Sequence, residues 1–340
     1  MRPAVRVAAR PCLVTLTRMA VGFVGLCLAM QLPASAAPSA RAKTALVPFE
    51  ASPFPYDGRP LPGQDKPFFD VEQDGRRGHT SPRGGIYWED ATYSDRRVLL
   101  HIPRGFDPRR PALMIVYLHG NLATLERDVV GRQRVPWQVA QSGLNAMLVV
   151  PQLAVDALDS TAGKFYEEGA FRRFVEEACV KLARLHGNPR AHTAIDALPV
   201  VLVAYSGGYV PAAWSMHHGG IGDRLRGVIL LDAPYGDFDK FADWIAARES
   251  AFFLSAYSRS AREENATLQR LLTERSIDFA TTLPATLAPG SVTFFATGEE
   301  VVHNDFVSRA WVDDPLRELL AKIPGYARTA RPVGRTRRQP

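Results

Sequence analysis

From about residue 85 onward, short apolar runs alternate with stretches in which apolar residues recur every three or four positions. The runs fall at 86–88, 97–102, 113–118, 146–150, 200–204, 227–231, 252–257 and 292–296. Most are near-continuous Val, Ile, Leu and Phe, as strands buried on both faces should be. The clearest helical stretch is 170–185, with Phe171, Phe174, Val175, Ala178, Leu182 and Leu185 on one face and Gly187 as its stop. Another begins at Ser260, with Glu263 at capping-box spacing. Strands alternating with helices predict an α/β fold: a mostly parallel eight-stranded sheet with helices on both faces. The first two runs are joined by 89–96, too short for a helical crossover, so that pair is expected to be antiparallel. The segment between Asp232 and Phe252 leaves no room for a large cap domain.

The flanks read differently. Residues 37–84 are rich in Pro, Gly and charge without regular periodicity, yet they carry Phe49, Phe54, Tyr56, Phe68 and Phe69. That many aromatics argue against a free linker and predict an extended arm docked on the surface of a domain spanning 85–325. Residues 1–36 hold Arg2, Arg6, Arg10 and Arg18, no acid, an apolar run over 19–32 and then Ala34-Ser35-Ala36. This is the reading of a secretory signal peptide, with an apolar core short for a membrane span, so the protein is expected to be exported, periplasmic or secreted. Leu26 before Cys27 argues against a lipidated cysteine. Taking the four arginines of this segment from the formal charge of +6 leaves +2, which gives no argument for nucleic-acid binding. The basic end 326–340, with Arg335, Arg337 and Arg338, reads as a solvated tail. Cys12 and Cys27 leave with the signal segment, and Cys179 lies in a helical pattern as a small apolar residue, so no internal disulfide is expected.

In sheets of this kind, reactive groups gather just past the carboxyl ends of strands. After 200–204 comes Tyr205-Ser206-Gly207-Gly208, then a helix with Pro211 in its first turn. A serine on a sharp strand-to-helix turn needs small neighbours, and Ala204, Gly207 and Gly208 supply them. Ser206 is therefore the candidate nucleophile, and the Gly207 N–H is a candidate oxyanion donor at the positive end of a helix. The run 113–118 ends in His119-Gly120-Asn121, which puts the Asn121 N–H forward as a second donor. Tyr205 and His119 are candidate substrate-binding residues, His119 also suiting a structural part in its turn. Among eight histidines, His303 follows the last run at the correct edge and is the candidate base. His217 and His218 lie roughly 16 Å along the helix from Ser206. His186 and His192 precede the elbow strand, His101 lies within a strand, and nothing positions His79. Asp232 directly follows 227–231, where an ionised carboxylate needs a partner, and is the preferred acid. Glu299, Glu300, Glu263 and Glu264 stay open as alternatives. Glu300-x-x-His303 has metal-ligand types but sits in an expected loop without a third ligand, so no metal is expected. No P-loop and no G-x-G-x-x-G follows a strand, so no nucleotide cofactor is expected.

The order Ser206, Asp232, His303, with His119-Gly120 earlier, resembles the α/β-hydrolase superfamily over residues 85–325. Two positions depart from its pattern: Ala204 stands where the elbow usually has Gly, and the acid follows the sixth strand instead of the seventh, as in a subset of the family's lipases. The resemblance implies acyl transfer to water on a small-molecule or polymer ester. Ser206 would attack, His303 would take its proton, Asp232 would hold the imidazole, and Gly207 and Asn121 would bind the oxyanion. A cell-envelope peptidase or amidase with the same three residues, or a catalytically silent binding module on the same fold, is the alternative. The loop 153–169, with Asp156, Asp159, Phe165 and Tyr166, is expected to wall an open site, its acids solvated. Oligomeric state is not legible.

Overall fold

The computed structural model describes residues 39–328; the expected signal segment 1–36, with Cys12 and Cys27, and most of the basic tail lie outside them. Eleven strands are found among these residues. β1 (Lys43–Pro48), β5 (Arg97–Ile102), β6 (Leu113–Leu118), β7 (Ala146–Pro151), β8 (Val200–Tyr205), β9 (Leu225–Leu231), β10 (Phe252–Tyr257) and β11 (Val292–Ala296) form an eight-stranded sheet. Its order is β1-β5-β7-β6-β8-β9-β10-β11. β5 runs antiparallel to both β1 and β7, and the remaining pairs are parallel.

The near-continuous apolar runs are explained by two cores, one on each face of the sheet. Because successive side chains point to opposite faces, Met114, Val116 and Leu118 of β6 join one cluster, while Leu113, Ile115 and Tyr117 join the other. The first core is closed by helices Ala170–His186, Tyr209–His218, Phe238–Ala247 and Arg262–Glu274, which contribute Phe171, Phe174, Ala213, Phe241 and Leu268. The second is closed by helices Val135–Gln141 and Pro315–Ala321, with Val139, Leu316 and Leu320. Ala170–His186 ends as its sequence requires: Gly187 at φ +77° donates its N–H to the Ala183 carbonyl, a conformation open to glycine. Cys179 on this helix is buried.

Three expectations are corrected. The run 86–88 is not an antiparallel partner of β5; the partners of β5 are β7 and β1, and β1 lies inside the Pro- and Gly-rich arm. The run 86–88 is instead β4 (Ile86–Trp88) of a separate antiparallel sheet with β2 (Val71–Gln73) and β3 (Arg76–Thr80). The segment 37–84 therefore does more than dock on the surface, since Phe49, Phe54, Tyr56 and Phe68 are buried in the first core. Finally, Ser260 does not cap a helix with Glu263. The helix begins at Arg262, and the Ser260 hydroxyl is bonded to Asp232.

Candidate active site

Strand register builds the site. Tyr205 of β8 pairs with Leu231 of β9, and Leu231 pairs with Ala256 of β10. The residues just past these ends, Ser206, Asp232 and Ser258, therefore emerge side by side at one sheet edge. Leu118 of β6 pairs with Ala204, which brings His119 and Gly120 up against the same point. Here the chain changes direction across the sheet, with β7 on one side of β6 and β8 on the other, the crevice where ligands bind in open α/β sheets.

The turn after β8 is as tight as its composition predicts. Ser206 has φ +49°, a left-handed conformation unusual for a side-chain-bearing residue. A Cβ on Gly120 would lie 2.9 Å from Ser206 Cβ, one on Gly208 2.4 Å from the Leu118 carbonyl, and one on Gly207 2.2 Å from Asn121 Oδ1. Gly207 and Asn121 are thus immediate neighbours, with no room for a side chain between them.

Ser206, His303 and Asp232 form one hydrogen-bonded chain. Ser206 Oγ lies 2.7 Å from His303 Nε2, and His303 Nδ1 lies 2.6 Å from Asp232 Oδ2. The tautomer that suits both contacts has Nδ1–H donating to the carboxylate and Nε2 accepting from the serine. Tyr235 and Ser260 hydroxyls also approach Nδ1, at 3.3 and 3.4 Å, but the carboxylate is both nearer and charged. Asp232 is fully buried, and its remaining lone pairs are met by the Ser258 N–H (2.7 Å), the Ser258 hydroxyl (2.9 Å) and the Ser260 hydroxyl (2.7 Å). Burial pushes its carboxyl up, but the bonds from His303, Ser260 and Ser258 outweigh it and hold the carboxyl below its usual range.

The loop bearing His303 is pinned on several sides. Tyr205 donates its hydroxyl to the His303 carbonyl (2.8 Å) and stacks on the imidazole, with centroids 5.3 Å apart. Arg132 Nη1 donates to the Asn304 carbonyl (2.7 Å), and Val301 and Phe306 are buried in the second core. The substrate contact expected of Tyr205 is corrected accordingly: the ring is buried behind the imidazole and its hydroxyl is taken. The same holds for His119, which is fully buried. Its Nδ1 meets the Gly120 carbonyl (2.8 Å) and its Nε2 accepts from the Leu153 N–H (2.9 Å). Burial lowers this imidazole to about 4, so it stays neutral while tying the turn after β6 to the loop after β7.

The alternative acids are elsewhere. Glu299 pairs with Arg262 at the surface, Glu263 and Glu264 lie in the first turn of the helix Arg262–Glu274, and Glu300 is exposed. His217 and His218 end the helix that Ser206 precedes. His79 stacks on Phe68, with its Nδ1 2.6 Å from the Phe68 carbonyl. Among the described residues no group of three or more His, Cys, Asp or Glu is placed to hold a metal ion.

The loop 153–169 does reach the site: Ser160 Oγ would lie 2.6 Å from a Cβ on Gly207. Its acids divide. Asp156 pairs with Arg127, as a surface charge should, whereas Asp159 is buried, accepting from the Tyr93 hydroxyl (2.5 Å) and the Thr161 N–H (3.0 Å). The Asn121 carboxamide is best satisfied with its nitrogen donating to the Asp159 carbonyl (3.0 Å) and its oxygen accepting from Arg83 Nη1 (3.2 Å). Facing the loop, the arm contributes a wall through Lys66, Phe68, Asp70 and Arg83. Sequence reasoning missed Ser258, Ser260, Tyr235 and Arg83. The first two carried a signal, since a carboxylate buried at a strand end needs donors from the neighbouring strand end.

A mostly parallel eight-stranded sheet of this order, with a strained serine at a strand-to-helix elbow, is the α/β-hydrolase fold. Solved structures similar to this chain include a feruloyl esterase module from Clostridium thermocellum, at 11% identity, covering 75% of this chain and 89% of that one, with TM-score 0.46. An S-formylglutathione hydrolase from Agrobacterium tumefaciens aligns at 13% identity over 73% of this chain and 94% of that one, with TM-score 0.40. A Pyrobaculum calidifontis esterase aligns at 14% identity over 75% and 85%, with TM-score 0.39. No protein-family model matches the chain, and no curated protein matches it in sequence. The fold stands on strand order and register, independently of these likenesses.

Proposed function

We propose that the protein is a serine hydrolase that cleaves carboxylic esters through an acyl-enzyme, with Ser206 as nucleophile, His303 as base and Asp232 as the acid that orients it. The observation that carries this reading is the hydrogen-bonded chain Ser206–His303–Asp232, at 2.7 and 2.6 Å, with the serine held at φ +49°. Each part has a chemical consequence. The serine Oγ loses its proton to Nε2 as it attacks the carbonyl carbon. The imidazolium that forms is stabilised by Asp232, which stays ionised because three further donors face it. On this reading the backbone N–H groups of Gly207, at the start of a helix, and Asn121 receive the developing oxyanion, a role supported by the close approach of the two residues. His303 then returns the proton to the leaving alkoxide, and a water molecule repeats the sequence to release the acid.

Export is part of the proposal and is supported by the arginine-flanked apolar run and the Ala34-Ser35-Ala36 pattern in the sequence. Among the described residues no helix is long and apolar enough to cross a membrane. The test is turnover of a soluble aryl ester by wild type and Ser206→Ala. The expected result is hydrolysis by wild type and a loss of about 10³-fold or more in the variant. Absence of hydrolysis in wild type across esters of varied acyl chain, or equal rates in the two proteins, contradicts the reading.

A further inference from the structure

A cleft of about 320 Å³ is walled by the arm on one side and by Leu158–Thr161 and Tyr166 on the other, and two of its lining residues, Ser160 and Arg83, touch the Asn121 carboxamide. Tyr209, three residues after Ser206, also lines it. The charges along it are unevenly committed. Asp159 is bonded to Tyr93 and to the Thr161 N–H, and Asp70 accepts from the Thr80 N–H at 2.8 Å. Arg83 and Lys66 have no carboxylate partner among the described residues, whereas Arg76, Arg77, Arg96, Arg97 and Arg127 nearby in the sequence are ion-paired.

Arg83 is also held in place. It sits at the tip of the hairpin joining β3 to β4, closed by the Ser81 N–H to the Gly85 carbonyl (3.0 Å). Ser81 Oγ ties that hairpin to the Leu158 carbonyl at 2.7 Å. The guanidinium lies against one end of the Asn121 carboxamide, whose other end abuts Gly207. Its charge reaches the phenols of Tyr209 and Tyr235, opposing in part the burial that raises both. A cation is thereby presented on the far side of the Asn121 carboxamide from Gly207.

Resting on the hydrolase reading above, we propose that this cleft receives esters carrying an anionic group, such as a second carboxylate, and that Arg83 is the residue that selects them. A planar guanidinium offers two parallel donors to a carboxylate, and Lys66 adds a second positive charge along the same wall.

The test compares 4-nitrophenyl hemisuccinate with its methyl-capped diester, a pair alike in chain and different in charge, at neutral pH and low salt. Wild type is expected to favour the anionic ester in kcat/KM. Arg83→Gln is expected to lower that preference by about five- to tenfold, mostly through KM, and Arg83→Lys to restore most of it. The corresponding anilides, titrated by calorimetry in a Ser206→Ala background, give the same comparison without turnover. An equal charge preference in wild type and Arg83→Gln, in rate and in binding, overturns the inference. So does a uniform fall in kcat for both esters with the preference unchanged, because Arg83 would then only position Asn121. Failure of wild type to hydrolyse either ester removes the hydrolase reading, while the calorimetric comparison still decides the charge selectivity.

Discussion

A carboxylate taken fully out of water costs several kcal/mol unless its oxygens are met by donors. Asp232 meets this demand with the imidazole of His303, the hydroxyls of Ser258 and Ser260, and one backbone N–H. The arrangement leaves a negative charge that cannot move, beside an imidazole that the proposed mechanism makes positive. Asp232→Asn keeps the size and the buried site, but the amide presents a donor where His303 needs an acceptor, favouring the tautomer that cannot take the serine proton. The expected outcome is a fall of about 10⁴-fold in kcat. Glu299→Gln, which touches only the surface Arg262, is expected to change kcat by less than about twofold. Steady-state kinetics on both variants checks the assignment. Near-wild-type turnover in Asp232→Asn together with a large loss in Glu299→Gln contradicts it.

At the scale of elements, the turn after β6 is held to the loop after β7 by a histidine that must stay neutral. His119 has an ordinary value of 6.5, lowered by burial to about 4. The unfolded chain therefore binds a proton at this residue between pH 6.5 and 4 that the folded chain does not. The contribution of His119 is fully present above pH 6.5 and is lost progressively as pH falls towards 4. His119→Gln is expected to lower stability at pH 7, through the lost bonds to Gly120 and Leu153, and to flatten the decline between pH 6.5 and 4. Denaturant midpoints measured across that range check this, and an unchanged pH slope contradicts it. The elements themselves were unevenly legible. β5, β6, β8, β9 and β10 are buried on both faces over most of their length, so near-continuous apolar runs marked them. β1 is an edge strand whose accessibility alternates while its composition does not: Leu46 is exposed and Ala45 is more buried, so no polar-apolar alternation announced it. Ile86–Trp88 looked like a strand and is one, but three residues carry no record of which sheet they join.

At the scale of the whole molecule, the arm and the body cannot be read separately. Four aromatics of the 37–84 segment fill the first core, and the hairpin beyond them sets Arg83 against Asn121. The aromatic content foretold docking; the pairing of β1 with β5 and the cleft wall depend on contacts between residues far apart in sequence, which local pattern does not encode. The meeting of Ser206, His303 and Asp232 was legible because strand ends at one sheet edge converge whatever the loops do. Ser258 and Ser260 carried only the general demand of a buried strand-end carboxylate for donors, and Tyr235 carried none; hydroxyl-bearing residues are common past strand ends, and three-dimensional register shows which of them face a buried charge. The proposed mechanism activates one oxygen, that of Ser206, above all others. The most direct measurement is intact-mass and peptide mapping after treatment with a fluorophosphonate, which forms a stable adduct only with a serine activated by a neighbouring base. One adduct, on Ser206, absent in Ser206→Ala and strongly slowed in His303→Ala, is the predicted result. No adduct on wild type, or the same adduct on Ser206→Ala, contradicts the account.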